Sequence, residues 1–451
     1  MISSVYTILL LYAAIWFIIF GIYYFKYRTI GIVGIILLFY GFSALTSIYF
    51  FNHAASPIKN IRIEPILYII SCVLISLAPL FIHAKSISRI SIAKYVDNNG
   101  YIQYFLLFSS PIIAWALVEL LLNVTNTGTS SLVSIYENRE LKLRTSEIGH
   151  ICVGYTRLFE YLWPILFFYC ISLRGFYAKI AYVALLGTFC MCIDGYLSAS
   201  RASIVRQVMY FAIIFYLCKN RLPYKFVSSF EKVGITLLCI ISSFLLLITV
   251  SRFSIGNTQV DLLTWMSLYP GEGVMRFCQY VWDLCQVSSG DTNFAYIKDM
   301  LGLDTYTNLL DRRDYYEFRL GIPTSIFYTY IGDICIDFGK YWALLFFCLL
   351  SVGINMLIST SVRRRCYTFV DIYLLGLYIL MIVYGVMYFF CKTYIAQSRV
   401  IISLIIILLM QAFLLQRKPI KRLKDNGHNW VYREQRKDSK QCSMGNGRKG
   451  D

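Results

Sequence analysis

The sequence predicts an all-α polytopic membrane protein, and three observations carry that prediction. Of its 451 residues 58% are hydrophobic and only 15% charged, against roughly 45–50% and 25% in soluble domains, and the mean hydropathy is +0.61. Apolar runs of the roughly 20 residues that a helix needs to cross hydrocarbon recur along the chain. The 37 Tyr and 32 Phe, set against 9 Pro, suit many spans with aromatic belts at the interfaces. A soluble enzyme is excluded. Most of the 14 cysteines that can be placed sit inside apolar runs (Cys72, Cys170, Cys190, Cys192, Cys239, Cys348) with no CxxC. They read as small buried hydrophobes, not as a disulfide or metal framework.

Apolar windows fall at about 4–24, 29–51, 65–83, 102–123, 156–173, 178–196, 203–218, 233–251, 341–359, 372–390 and 400–415, giving about eleven transmembrane helices. The first lacks a basic leader and a small-residue cleavage site, so it reads as a retained span. Orientation follows from the basic residues of short connections. Lys26 and Arg28, then Lys85, Arg89 and Lys94, then Arg174 and Lys179, lie in alternate connections. So do Lys219, Arg221, Lys225 and Lys232, and Arg363 to Arg365, and the basic tail of 416–451 falls on the same side. That side is the cytoplasm, with the amino terminus outside and the carboxyl terminus inside. Most of the net charge of +17 then needs no nucleic acid, and the tail suits a disordered anchor on anionic lipid.

The chain divides accordingly: 1–251 carries spans one to eight with an outer loop at about 124–155, 252–340 forms a large extracytoplasmic loop, and 341–415 carries spans nine to eleven. A connection this long is functional or disordered, and its content of Trp, Tyr and Phe argues for order. After a break at Pro270-Gly271, Val274, Phe277, Cys278, Val281, Leu284 and Cys285 keep helical spacing with polar residues between them. This predicts an amphipathic helix on the outer leaflet. No pair of broken helices is visible in matching positions, as transporters show.

Ionisable residues at the edges of spans are functional candidates because burying them is costly. Arg157 and Glu160 are three apart at the start of the fifth span and would pair on one helix face. Asp194 ends the sixth span, Arg201 and Arg206 open the seventh, Arg252 follows the eighth, and Lys392 and Arg399 flank the tenth and eleventh. Singly, each reads as a snorkelling residue or an internal ion pair. Together, Arg201, Arg206, Arg252 and Arg319, with Arg312 or Arg313, form a set that one outer cavity could gather. Arginine suits phosphate by planar bidentate donation, so that cavity would seat a lipid pyrophosphate. Asp333 and Asp337 are four apart before the ninth span and would share a helix face. They are candidates for a general base, with capping of the ninth span as the alternative for Asp337. His150 is a further candidate base or a structural residue. Walker, GxGxxG, HExxH and GxSxG motifs are missing, and no Asp-x-Asp pair on an outer loop offers metal ligands, so neither metal nor other cofactor is expected.

The runs Ser200-Arg201-Ala202-Ser203, Ser251-Arg252-Phe253, and Gly321-Ile322-Pro323-Thr324 leading to Asp337-Phe338-Gly339 carry a resemblance. With many spans and a large outer loop before the last few, residues 150–415 resemble bacterial O-antigen and capsule repeat-unit polymerases, the Wzy family. The resemblance implies a GT-C-like membrane glycosyltransferase. It would move a growing glycan from undecaprenyl pyrophosphate to a sugar hydroxyl of the next lipid-linked repeat unit, building O-antigen of lipopolysaccharide, capsule or exopolysaccharide. The implied partners are the lipid-linked oligosaccharide as donor and acceptor, membrane lipid and a chain-length regulator, with no nucleic acid. An O-antigen ligase, and a flippase or transporter of lipid-linked sugars, stay open beside it.

Overall fold

A computed structural model describes residues 2–53, 58, 61–87, 91–92, 100–127, 146–173, 175–198, 201–234, 236, 262–306, 309–323 and 326–415. The described chain is built almost wholly of helices: α1 (Ile2–Tyr27), α2 (Gly31–His53), α3 (Ile63–Ile82), α4 (Gly100–Thr127), α5 (Glu147–Leu158), α6 (Trp163–Leu173), α7 (Phe176–Leu197), α8 (Arg201–Cys218), α9 (Leu262–Arg276), α10 (Ala295–Met300), α11 (Leu309–Leu320), α12 (Thr329–Arg364), α13 (Phe369–Tyr384) and α14 (Tyr394–Leu415). Among the described residues, eight helices are long and apolar enough to cross a membrane, and two shorter ones, α6 and α13, are apolar as well. The chain is an all-α polytopic membrane protein. The eighth expected span, 233–251, lies for the most part outside the described residues.

Neighbours in the chain pack as α1 on α2, α4 on α5 and α6 on α7, and long-range pairs as α2 on α9, α3 on α12, α4 on α7 and α8 on α13. Among the described residues, the basic connections at 26–28, 85, 219–221 and 363–365 share one end of this bundle. Lys85 Nζ lies 5.8 Å from the Tyr27 ring, Tyr27 donates to the Phe81 carbonyl, and Tyr216 of α8 accepts from the Ile32 amide at the start of α2. A two-residue parallel bridge joins Ser91–Ile92 to Cys366–Tyr367 beside Arg364, which reaches Asp371 at 3.7 Å.

Three sequence expectations are corrected here. The helix around Pro270 is not broken; α9 runs through it. Its carbonyls there are served by α2, with Ser43 donating to Pro270 at 2.5 Å and Ser47 to Gly271 at 3.0 Å. The face holding Val274, Phe277, Cys278 and Val281 is therefore buried in protein and does not lie on the leaflet, while Cys285 is exposed. Gly271 allows this contact, since a Cβ there would meet the Thr46 carbonyl oxygen at 2.7 Å.

The second correction concerns the fifth span. The fifth span is not continuous: α5 ends at Leu158, the chain turns through Phe159 to Leu162, and α6 resumes at Trp163. Pro164 explains the break, because it lacks the amide that would bond the carbonyl of Glu160. The third correction is that α12 begins twelve residues before the expected ninth span and is broken at Gly339, whose φ of 75° and ψ of 165° belong to a region essentially reserved for glycine. Its first part, 329–337, is buried in the bundle.

Candidate functional site

The turn between α5 and α6 leaves helix-end carbonyls to be satisfied inside protein, and three side chains do so. The Trp163 indole donates to Thr156 at 3.0 Å, Ser403 of α14 donates to Leu158 at 3.1 Å, and the Gln207 amide of α8 donates to Glu160 at 3.2 Å. Gln207 thus supplies the donor that Pro164 lacks. The helices that bring Gln207 and Ser403 also bring Arg206 and Arg399, which is one turn before Ser403 on α14.

Both arginines close on Glu160. Arg206 Nη2 is 3.0 Å from Oε1 and Arg399 Nη1 is 2.6 Å from Oε2. The Glu160 side chain is 2% exposed, against 13% and 18% for the two arginines, so all three charges are withdrawn from the surface and the carboxylate lies deepest. Each arginine lies five residues inside its helix, about 7.5 Å from the end by the helix rise. One carboxylate cannot neutralise two guanidinium groups, so the cluster keeps a positive charge. Arg206 Nε and Gln207 Oε1 beside it have no hydrogen-bond partner among the described residues. The expected Arg157–Glu160 pair is overturned: the helix ends between them, and Arg157 instead grips Asp194 of α7 in bidentate fashion at 2.9 and 2.5 Å.

The first part of α12 adds a second charged group. Asp333 is fully buried, with Lys392 Nζ at 2.8 Å and the Phe389 amide donating at 2.8 Å. Asp337, equally buried, accepts from Ser288, from the amides of Thr292 and Asn293 at 2.9 Å each, and from the Asn293 side chain at 2.7 Å. Its lone pairs are consumed in holding the 288–293 loop, so Asp337 does not cap the long part of α12. Tyrosines bridge the two groups. Tyr388 lies within electrostatic reach of both Arg206 and Asp333. It bonds Tyr384 at 2.7 Å and stacks on Phe327 with ring centroids 5.5 Å apart, while Lys392 stands over Tyr328. On α9, Glu272 pairs with Arg276 at 3.3 Å. Burial pushes the Glu272 carboxyl above the usual range, with Arg276 working against it.

The other expected site residues are dispersed or not described. Arg319 is exposed on α11 and donates to Tyr315 at 2.6 Å. Arg313 is half-buried on the same helix. His150 is exposed on α5. Arg252 and the side chains of Arg201 and Arg312 lie outside the described residues. The sequence reading undervalued Arg399 and Lys392 and missed Gln207, Ser403, Tyr384 and Tyr388. Only the Arg399/Ser403 spacing of four offered a signal. No group of three His, Cys, Asp or Glu is placed to hold a metal ion among the described residues. No protein-family model matches this chain, and neither a curated protein nor a solved structure is significantly similar to it.

Proposed function

We propose that the chain is a membrane glycosyltransferase that joins undecaprenyl-pyrophosphate-linked repeat units into a polysaccharide at the outer face of the bacterial inner membrane. One observation carries this reading: Arg206 and Arg399 converge on a single carboxylate and, among the described residues, leave a positive charge beside Tyr384 and Tyr388. Preorganised guanidinium groups stabilise negative charge where it develops on a leaving pyrophosphate. In the reaction the bond from the sugar's anomeric carbon to pyrophosphate breaks and a bond to the acceptor hydroxyl forms. The hydroxyl proton goes to a carboxylate, and Asp333 is the better of the two aspartates, because Asp337 is saturated by four donors. Lys392, paired with Asp333 at 2.8 Å, would lie beside the donor.

A second reading, a flippase of lipid-linked oligosaccharide, is favoured by the two interrupted helices with ionisable groups at their breaks. One experiment separates the readings. Arg206→Ala and Arg399→Ala are expressed in cells lacking the native gene, with membrane protein quantified and surface glycan resolved on gels. The polymerase reading expects single repeat units on the surface with normal protein amounts, and poor rescue by Lys. Loss of single units as well supports the flippase, polymer retained on its carrier lipid supports a ligase, and full ladders from both variants remove these arginines from the mechanism.

A further inference from the structure

We infer that the segment from Ala295 to Leu303 is a wedge inserted in the outer lipid leaflet, fixing the bilayer edge at the level of Lys340 and Tyr394. The inference rests on the chain's being a membrane protein and not on its chemistry. Four apolar side chains stand out from this short segment: Ile297, Met300, Leu301 and Leu303 are 39, 61, 70 and 52% exposed. They are held there by a built turn. Gly302 takes a φ of 69°, and the amides of Leu301, Gly302 and Leu303 bond back to the carbonyls of Ile297, Asp299 and Lys298 at 2.9–3.1 Å. A soluble surface has no reason to hold three neighbouring large apolar side chains outward by such a turn.

The segment is tied to the outer ends of two spans. The Tyr296 amide donates to Gln397 Oε1 at 2.8 Å, Tyr394 donates to Asp299 at 2.5 Å, and the Phe294 ring packs on Phe338 and Phe346 at 5.4 and 6.2 Å. Lys298, the one cation of the segment, is paired with Asp291. Residues 340–364 and Tyr394–Leu415 are about 36 and 32 Å long by the helix rise, a little more than the roughly 30 Å of hydrocarbon, so their starts lie at the interface. Tyr341, Trp342 and Ile395 are exposed there at 80, 68 and 61%, as an aromatic belt requires. The wedge continues that lipid-facing surface, which is why lipid and not a protein is its occupant. The Glu160 cluster, at the level of Arg399 five residues in from Tyr394, then lies about 7.5 Å inside that edge.

The test uses the full chain in nanodiscs of phosphatidylethanolamine with phosphatidylglycerol, in a background in which Cys285, which is exposed, and Cys442 are replaced by Ser. An environment-sensitive fluorophore is placed at Leu301→Cys, at Asp304→Cys as the aqueous reference and at Val352→Cys as the lipid reference. The wedge predicts blue-shifted emission at 301, quenching by shallow spin-labelled lipid and protection from iodide, with 304 open to iodide. Iodide quenching at 301 equal to that at 304 overturns it. Protection from both quenchers at 301 also overturns it, in favour of a protein contact. Failure of quenching by deep spin-labelled lipid at 352 would overturn the membrane placement itself, a result separate from the fate of the wedge.

Discussion

Glu160→Ala is the most informative single change. It removes the shared partner of two arginines whose side chains are only 13 and 18% exposed. Deleting one partner of a buried pair costs about 3–5 kcal/mol, because the remaining charge stays desolvated and unpaired. Arg399→Ala is a different perturbation: Glu160 keeps Arg206 at 3.0 Å, and the loss is one charged hydrogen bond, about 1.5–3 kcal/mol. Side-chain hydrogen bonds within membrane helices average only about 0.6 kcal/mol, which lowers both figures without reversing their order. Glu160→Ala should therefore destabilise more than Arg399→Ala. The double variant should cost less than the sum of the singles, since removing Arg399 relieves half of the unpaired charge. The assay is reversible unfolding in detergent micelles, with the four proteins compared as a double-mutant cycle. Equal costs for the two single variants, or strict additivity in the double, would refute a carboxylate shared by both arginines.

Other consequences follow from individual contacts. Asp337→Ala strands two buried backbone amides and the Asn293 side chain, each worth about 1–3 kcal/mol; folded protein recovered from membranes should fall sharply, and a normal yield would contradict the anchoring role. Gly339→Ala imposes about 1–3 kcal/mol of backbone strain at a φ of 75° and should lower the melting temperature without changing membrane insertion. Because burial raises the Glu272 carboxyl in the folded state, the folded form binds its proton more tightly than the unfolded one. Its stabilising contribution is complete below the unfolded value, about 4.3, and is lost as pH climbs through the raised folded value. Glu272→Gln should thus gain stability over the parent as pH rises through that window, and a pH-independent difference in unfolding free energy would contradict the raised carboxyl. Reporter fusions near 225 and 364 should read as cytoplasmic and near 300 as outside; a cytoplasmic signal at 300 would invert every site assignment.

What was legible in the sequence was the solvent. Windows such as 178–196 and 400–415 coincide with α7 and α14 because length and apolarity alone decide membrane helices. The alternation of Lys26, Lys85, Lys219 and Arg363 was equally readable, and the contacts at Tyr27, Tyr216 and Arg364 gather those residues at one end. Ion pairing was not legible. Arg157 sits three residues from Glu160 yet bonds Asp194, 37 residues on, and Glu160 is held by Arg399 at a separation of 239 residues. Local spacing predicts partners only while the helix continues, and here it does not.

The interruptions themselves had weak sequence marks that became meaningful only through tertiary partners. Trp163-Pro164 inside an apolar window signals a missing amide, but a proline can equally be absorbed as a kink, as α9 does at Pro270 with Ser43 and Ser47 serving its carbonyls. At Pro164 the nearest donors are Gln207 and Ser403, on α8 and α14, and each helix also carries an arginine within one turn. Satisfying the broken backbone and assembling the charged cluster are therefore one packing event. It follows that the donors and the cations cannot be varied independently. Gln207→Leu, which touches neither guanidinium group, should loosen the turn at Glu160, weaken the hold of Arg206, and reduce function together with stability.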